Sequence, residues 1–345
     1  MAVKLIHVGL GGWGGDWERN AIPPVKDVDR VAIVDPHEPT LRRVQEEMKV
    51  PDERTFASLT DALANVEADG VIVTAPMFAH VPLALEALEA GKHVLVEKPF
   101  AGNVAEAKTA VDRAEELGLI VQVSQNYRFY PAPRAVEQLI RDDAIGVPSV
   151  INVDFRRWAN DAEKDGHRHY HIQHPLIFDM AIHHFDLIRK ITGEDAVKVY
   201  AKASDPAWSK FTEEGSAVVT IELQSGLVVS YRGSWISRGQ ETHWDGDWHI
   251  QGETGEIFFT GRSGGSRGPA DDVVTLRRAG EEPEDVALES MDLWGRSYGL
   301  REFARAIRGE VTPETLGRNN LGSVALMEAA AKSTLSGQVE DVIIP

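Results

Sequence analysis

The sequence has no cysteine at all among its 345 residues. Disulfide stapling, thiolate nucleophiles and cysteine-based metal sites are therefore excluded, and a reducing compartment suits such a chain. Aromatic residues are sparse, at 7%. Positive charge is also short: 36 Lys and Arg stand against 54 Asp and Glu, a formal net charge of -18. A nucleic-acid backbone would be repelled on average, and no basic cluster stands out, so nucleic acid is not expected as a partner. No apolar run approaches the length needed to span a bilayer, so no membrane partner is expected either. The N-terminal residues Met1-Ala2-Val3-Lys4-Leu5-Ile6 lead into a strand without a signal-peptide pattern, and the expected address is the cytoplasm. The length and an apolar content of 43% fit two domains with ample core.

What is present is strand and helix in alternation through the first third. Apolar strands are expected at Val3–Val8, Arg30–Val34, Gly70–Thr74, His93–Val96 and Leu119–Ser124. Helical stretches lie between them, at Pro39–Met48, after Ser58, over His80–Ala90 and from Asn103 to Gly118. Ser58 with Asp61 and Asn103 with Glu106 have capping spacing. Such alternation means βαβ units and a parallel sheet. The pattern changes near Gln125. A helix over Pro131–Asp142, a strand at Val150–Phe155 and a long helix Pro175–Ile191 follow. Successive strands with glycine turns then run from Lys198 to about Val286, which suggests an antiparallel sheet. Arg262–Asp272 is rich in Gly and Ser and reads as a mobile loop. Helices are expected at Leu293–Arg308 and Asn320–Ser336. The expected class is α/β. Residues 1–125 would form a doubly wound Rossmann domain. Residues 126–345 would form an α/β domain with an open, mostly antiparallel sheet.

Three groups of residues carry chemistry. Gly9-x-Gly11-x-x-Gly14 follows a strand and opens a helix, and Asp35 ends the next strand. Glycines there let backbone amides approach a pyrophosphate, and the acid accepts hydrogen bonds from ribose hydroxyls. The same acid would repel a 2′-phosphate, so NAD is favoured over NADP. The second group is Glu97-Lys98-Pro99, which ends the buried strand His93–Val96. Proline forces the chain out of the sheet, which leaves a lysine at the edge where open α/β sheets bind ligands. Alternatively that lysine is merely solvated. The third is Asp179, His183 and Asp186, which share one face of an otherwise apolar helix. A histidine titrating near neutrality suits proton transfer, and a satisfied surface pair is the competing reading.

Those residues, with Thr74-Ala75-Pro76-Met77-Phe78-Ala79-His80 and Ala90-Gly91-Lys92-His93-Val94-Leu95-Val96-Glu97-Lys98-Pro99, resemble the Gfo/Idh/MocA oxidoreductases over nearly the whole chain. The resemblance implies a bound nicotinamide dinucleotide, held by Gly9, Gly11, Gly12, Trp13, Gly14, Asp35, Thr74, Pro76, His80, Glu97, Lys98 and Asn126. It implies a catalytic trio of Lys98, Asp179 and His183, a cis peptide before Pro99, and self-association into a dimer or tetramer through the open sheet. The implied activity is hydride transfer between NAD and a secondary alcohol of a sugar or cyclitol. Two departures stand out: Met77 replaces a common Asn, and Gln173-His174-Pro175 replaces a glycine-rich turn. Tyr127, Arg128, Trp158 and His184 are the candidate substrate contacts, with Arg156 and Arg157 beside them. The histidine-rich loop His167, His169, His171, His174 matches no standard metal spacing, so no metal is expected and a substrate-facing loop is preferred. An NAD-dependent glycosidase or a non-catalytic dinucleotide-binding regulator remains as an alternative.

Overall fold

The computed structural model describes residues 1–164, 168–262 and 271–345. Most of the loop expected at Arg262–Asp272, and His167 of the histidine-rich loop, lie outside the described residues. By internal packing the chain divides into two units. The first is Met1–Asn126 with Leu293–Val324 and Pro345; the second is Tyr127–Asp292 with Ala325–Ile344. A single break after residue 125 leaves out this return of the chain. Residues 293–324 rejoin the first unit because they supply part of its core: Leu300, Phe303 and Ala304 are buried with Val3, Leu5, Trp17, Ile72 and Leu95.

The first unit is built on a six-stranded parallel sheet. Its strands are β1 (Val3–Val8), β2 (Val28–Val34), β3 (Thr55–Phe56), β4 (Gly70–Val73), β5 (His93–Val96) and β6 (Val121–Val123). They lie in the order β3-β2-β1-β4-β5-β6. The order reverses direction at β1, the switch point where doubly wound sheets take their ligands. Val71, Val73, Val94 and Val96 are buried on one face of the sheet and Ile72 and Leu95 on the other, as helices covering both sides require. Both expected caps are present. Ser58 accepts the Asp61 N–H and Asn103 the Glu106 N–H, which satisfies donors that a helix start leaves open. Gly118, at φ 66°, ends the second of these helices in the left-handed region.

The second unit carries a nine-stranded sheet. Its strands are β7 (Pro148–Arg156), β8 (Ala196–Ser204), β9 (Ser216–Leu223), β10 (Val228–Ser234), β11 (Asp247–Gly252), β12 (Gly255–Thr260), β13 (Val273–Arg278), β14 (Glu284–Asp285) and β15 (Glu340–Asp341). The order is β14-β13-β12-β11-β7-β10-β9-β8-β15, antiparallel apart from the β7–β10 pair. Alternation decides the faces. Ile151, Val153, Phe155, Val219, Ile221, Val229 and Tyr231 point inward and are fully buried. On the opposite face Tyr200, Val218, Val228 and Phe258 are exposed by 39–54%. The helix expected at Pro175–Ile191 forms, but in two pieces. Pro175–Ala181 is π-helical, and Ile182–Thr192 is α-helical and ends at Gly193 with φ 71°. Among the described residues no helix is long and apolar enough to cross a membrane.

Phe303 is the test of the chain's return. It is 0% exposed, and truncating such a ring removes its transfer energy and leaves a cavity. Phe303→Ala is expected to destabilise the first unit by about 3–5 kcal/mol, read from urea unfolding.

Candidate active site

In the first unit the glycine loop is shaped by close approach. Gly9 has φ 91°, and a Cβ there would lie 2.5 Å from the Ala75 nitrogen. At Gly14 a Cβ would meet the Gly9 carbonyl oxygen at 1.8 Å, so the helix start presses directly on β1. Side chains at Gly11 and Gly12 would meet nothing within 4 Å, which leaves open backbone facing outward. Thr74 supports the loop from below, donating its hydroxyl to Gly9 O and contacting His7 Nε2 at 2.9 Å. Asp35, 8% exposed at the end of β2, accepts the Leu10 N–H at 2.6 Å and the His37 N–H at 2.8 Å. Each of its oxygens keeps a lone pair, as ribose hydroxyls require. Open amides beside a fixed carboxylate fit a dinucleotide. Trp13, 47% exposed, has the Arg296 guanidinium 4.2 Å from its ring.

At the end of β5 the Lys98–Pro99 peptide is cis. Glu97 is 4% exposed, and its carboxylate accepts the Trp17 indole N–H at 2.8 Å and the Lys98 backbone N–H at 3.0 Å. His80 closes the turn from the other side. Its Nδ1 lies 2.9 Å from Pro99 O and its Nε2 2.8 Å from Ala75 O. Burial pushes the His80 pKa down, against the pull of those two carbonyls. Glu97 and His80, both expected among the cofactor contacts, thus hold the turn that presents Lys98. Pro76 caps the helix Met77–Glu89, and Asn126 is buried at the start of the 3₁₀ turn Asn126–Phe129.

The second unit gathers the other expected residues. His183 is 4% exposed, and its ring stacks on Tyr127 at 3.8 Å between centroids, 11° from parallel. The Arg262 guanidinium lies 3.8 Å from the same Tyr127 ring. Two groups at that distance cannot share one face, so Tyr127 is sandwiched between imidazole and guanidinium. Arg262 is itself buried, with a left-handed φ of 61° and its Nε 3.8 Å from the wholly buried Asp245. Burial holds the Asp245 carboxyl well above the usual carboxylate range, opposed by Arg262. Asp179 Oδ2 is 3.2 Å from His169 Nε2. Arg128 forks onto Asp186, Nε to Oδ2 at 2.5 Å and Nη2 to Oδ1 at 2.8 Å. A buried guanidinium needs such a partner. His184 is fully buried, with Tyr231 Oη and Trp244 O each 3.2 Å from a ring nitrogen. Arg128 and His184, expected to face substrate, are thereby engaged inside the unit. Trp158 is half-buried under the Arg238 guanidinium, 4.1 Å from its ring.

A family model described as an oxidoreductase family with an NAD-binding Rossmann fold matches residues 3–125, and one for the GFO/IDH/MocA C-terminal domain matches residues 133–258. The chain belongs to the Gfo/Idh/MocA oxidoreductase family. Among curated relatives, it is 24% identical to myo-inositol 2-dehydrogenase of Thermotoga maritima, over 99% of this chain and 100% of that protein. It is 26% identical to 1,5-anhydro-D-fructose reductase of Ensifer adhaerens, over 84% of each. Among solved structures, an oxidoreductase from Agrobacterium radiobacter in complex with NAD+, L-tartaric acid and magnesium superposes with a TM-score of 0.85. That match has 21% identity and covers 99% of each chain. Residues 3–125 of this Gfo/Idh/MocA chain are its NAD-binding Rossmann fold.

Sequence reasoning missed Arg262 and His169 in this family member. Arg262 was hidden at the edge of an apparent surface loop, and His169 was one of four histidines with no sign of which would meet Asp179.

The buried ring of His184 predicts an acid dependence. Burial pushes its pKa down to about 4, with the Trp244 carbonyl opposing and Arg262 adding to the fall. The unfolded chain binds that proton near pH 6.5. Between the two values the unfolded state holds the extra proton, so stability rises with pH and is lost as pH falls from about 6.5 towards 4. The loss attributable to this ring is expected to reach about 3 kcal/mol. Urea unfolding at pH 7 and pH 4.5 checks it, with a smaller drop expected in His184→Gln.

Proposed function

We propose that the chain oxidises a secondary alcohol of a sugar or cyclitol with NAD, and that Lys98, Asp179 and His183 are its catalytic residues. The observation that carries this reading is the fixed presentation of Lys98 at the end of β5 in a unit matched by the NAD-binding family model. Bound NAD supplies the hydride acceptor at C4 of its nicotinamide. The alcohol carbon loses hydride and the hydroxyl loses its proton, so a carbonyl forms. His183 takes that proton on a ring nitrogen. Lys98 donates a hydrogen bond from Nζ to the same oxygen and stabilises the negative charge that develops there. Asp179, already paired with His169, orients the imidazole or grips a neighbouring hydroxyl. Asp35 favours NAD over NADP, since a carboxylate repels a 2′-phosphate. Trp158 is the proposed apolar platform for a polyol.

The relatives named for inositol and anhydrofructose support a sugar or cyclitol substrate. A glycosidase that uses NAD transiently would cleave its substrate without accumulating NADH, and a regulator would turn nothing over. His183→Ala is expected to lower turnover by about 10²–10⁴-fold while NAD affinity stays within about two-fold. The measurement is NADH formation across a panel of inositols and aldoses, with NAD binding followed by calorimetry. Full turnover in the variant would remove His183 from the reaction.

We also propose self-association through the outer face of the nine-stranded sheet, with the cytoplasm as the site of action. Tyr200, Val218, Val228 and Phe258 expose large apolar side chains on that face, and exposed apolar patches mark interaction sites. Val218→Lys with Phe258→Lys is expected to shift sedimentation from dimer or tetramer to monomer. A wild-type chain that sediments as a monomer would reject the interface.

A further inference from the structure

The described histidines of the histidine-rich loop take different partners: His169 meets Asp179, and His171 meets the Lys164 carbonyl. Its last member, His174, is instead brought to two acids from a distant part of the chain. His174 is 7% exposed and precedes the π-helical segment Pro175–Ala181. Its Nδ1 lies 3.5 Å from Glu213 Oε2 and 4.0 Å from Glu214 Oε2. All three donor atoms fall within 4.8 Å of one another. Among the described residues the imidazole forms no hydrogen bond. The 3.5 and 4.0 Å gaps are longer than ordinary N–H···O bonds. They approach the spacing of two ligands on one ion: donors about 2.0–2.1 Å from a metal stand roughly 3.0–3.5 Å apart.

Two further observations point the same way. The His174 backbone N–H donates to Glu213 Oε2 at 2.6 Å, which fixes that carboxylate beside the ring. The His174 backbone is also in the left-handed region, at φ 42°. A Cβ-bearing residue there costs about 1–2 kcal/mol, and glycine would remove that cost. A histidine is nonetheless kept, with its side chain buried and directed at paired carboxylates.

We propose that His174, Glu213 and Glu214 bind a divalent transition cation of the zinc or manganese class. One imidazole nitrogen with two carboxylate oxygens suits such ions, whereas Mg²⁺ and Ca²⁺ favour oxygen-only sets. The ion ties the start of the helix that bears Asp179 and His183 to the segment leading into β9. The expectation of no metal compared the four histidines only with one another and never with Glu213–Glu214.

The test uses the full chain, freed of metal by a chelator and titrated with ZnCl₂ and MgCl₂ by calorimetry. One equivalent of zinc is expected, bound at least about 100-fold more tightly than magnesium. Glu214→Gln and His174→Asn are each expected to weaken zinc by at least about 10-fold. Asparagine tolerates the left-handed backbone, and among the described residues Glu214 makes no hydrogen bond comparable to that of Glu213. Zinc should also raise the unfolding temperature of the wild type but not of Glu214→Gln, so that variant decides the matter if His174→Asn does not fold. Absence of saturable zinc binding, or wild-type affinity in Glu214→Gln, overturns the site.

Discussion

The end of β5 is the constraint on which the first unit's function depends. A carboxylate buried as deeply as Glu97 must be hydrogen-bonded or neutralised. Here the Trp17 indole and the Lys98 backbone amide satisfy it. Trp17 can reach it only because the chain after the glycine loop packs tightly on the sheet. That packing follows from Gly14, whose missing side chain lets the helix start press on the Gly9 carbonyl. His80 completes the arrangement by bridging the Pro99 carbonyl of this turn and the Ala75 carbonyl that follows β4. The glycine loop and the turn that displays Lys98 are therefore parts of one packed structure.

The second unit applies the same rule to more charges. Its helix Pro175–Thr192 is apolar except for residues that each have a specific partner. Asp186 takes Arg128, Asp179 takes His169, His184 takes Tyr231 and Trp244, and His183 lies against Tyr127. Buried polar groups with satisfied bonds hold one side-chain arrangement in preference to others. The Arg262–Tyr127–His183 stack fixes the orientation of the His183 ring through contact over whole ring faces.

Charge is handled differently on the two faces of the nine-stranded sheet. The inner face is aliphatic and aromatic. The outer face mixes exposed apolar side chains with paired charges such as Arg232–Asp154 and Arg277–Glu256. Such pairs add little stability in water.

The sequence by itself determined the local signals: alternating βαβ units, the caps at Ser58 and Asn103, the glycine loop with Asp35, and Lys98 at a strand end. These depend on near neighbours, whose spacing is fixed by helix and strand geometry. The π-helical turn at Pro175–Ala181 escaped that reading, since Leu176, Ile177, Phe178, Met180 and Ala181 are all apolar and leave no stripe whose phase could reveal a wider turn. Tertiary structure alone decided which long-range partners the charged and aromatic residues took. Arg262 lies 135 residues from Tyr127 in sequence, Glu213 lies 39 from His174, and Phe303 returns from a late helix to complete an early core. No local rule encodes these contacts, because they are set by the sheet registers and by the requirement that every buried charge find a partner once the chain is folded.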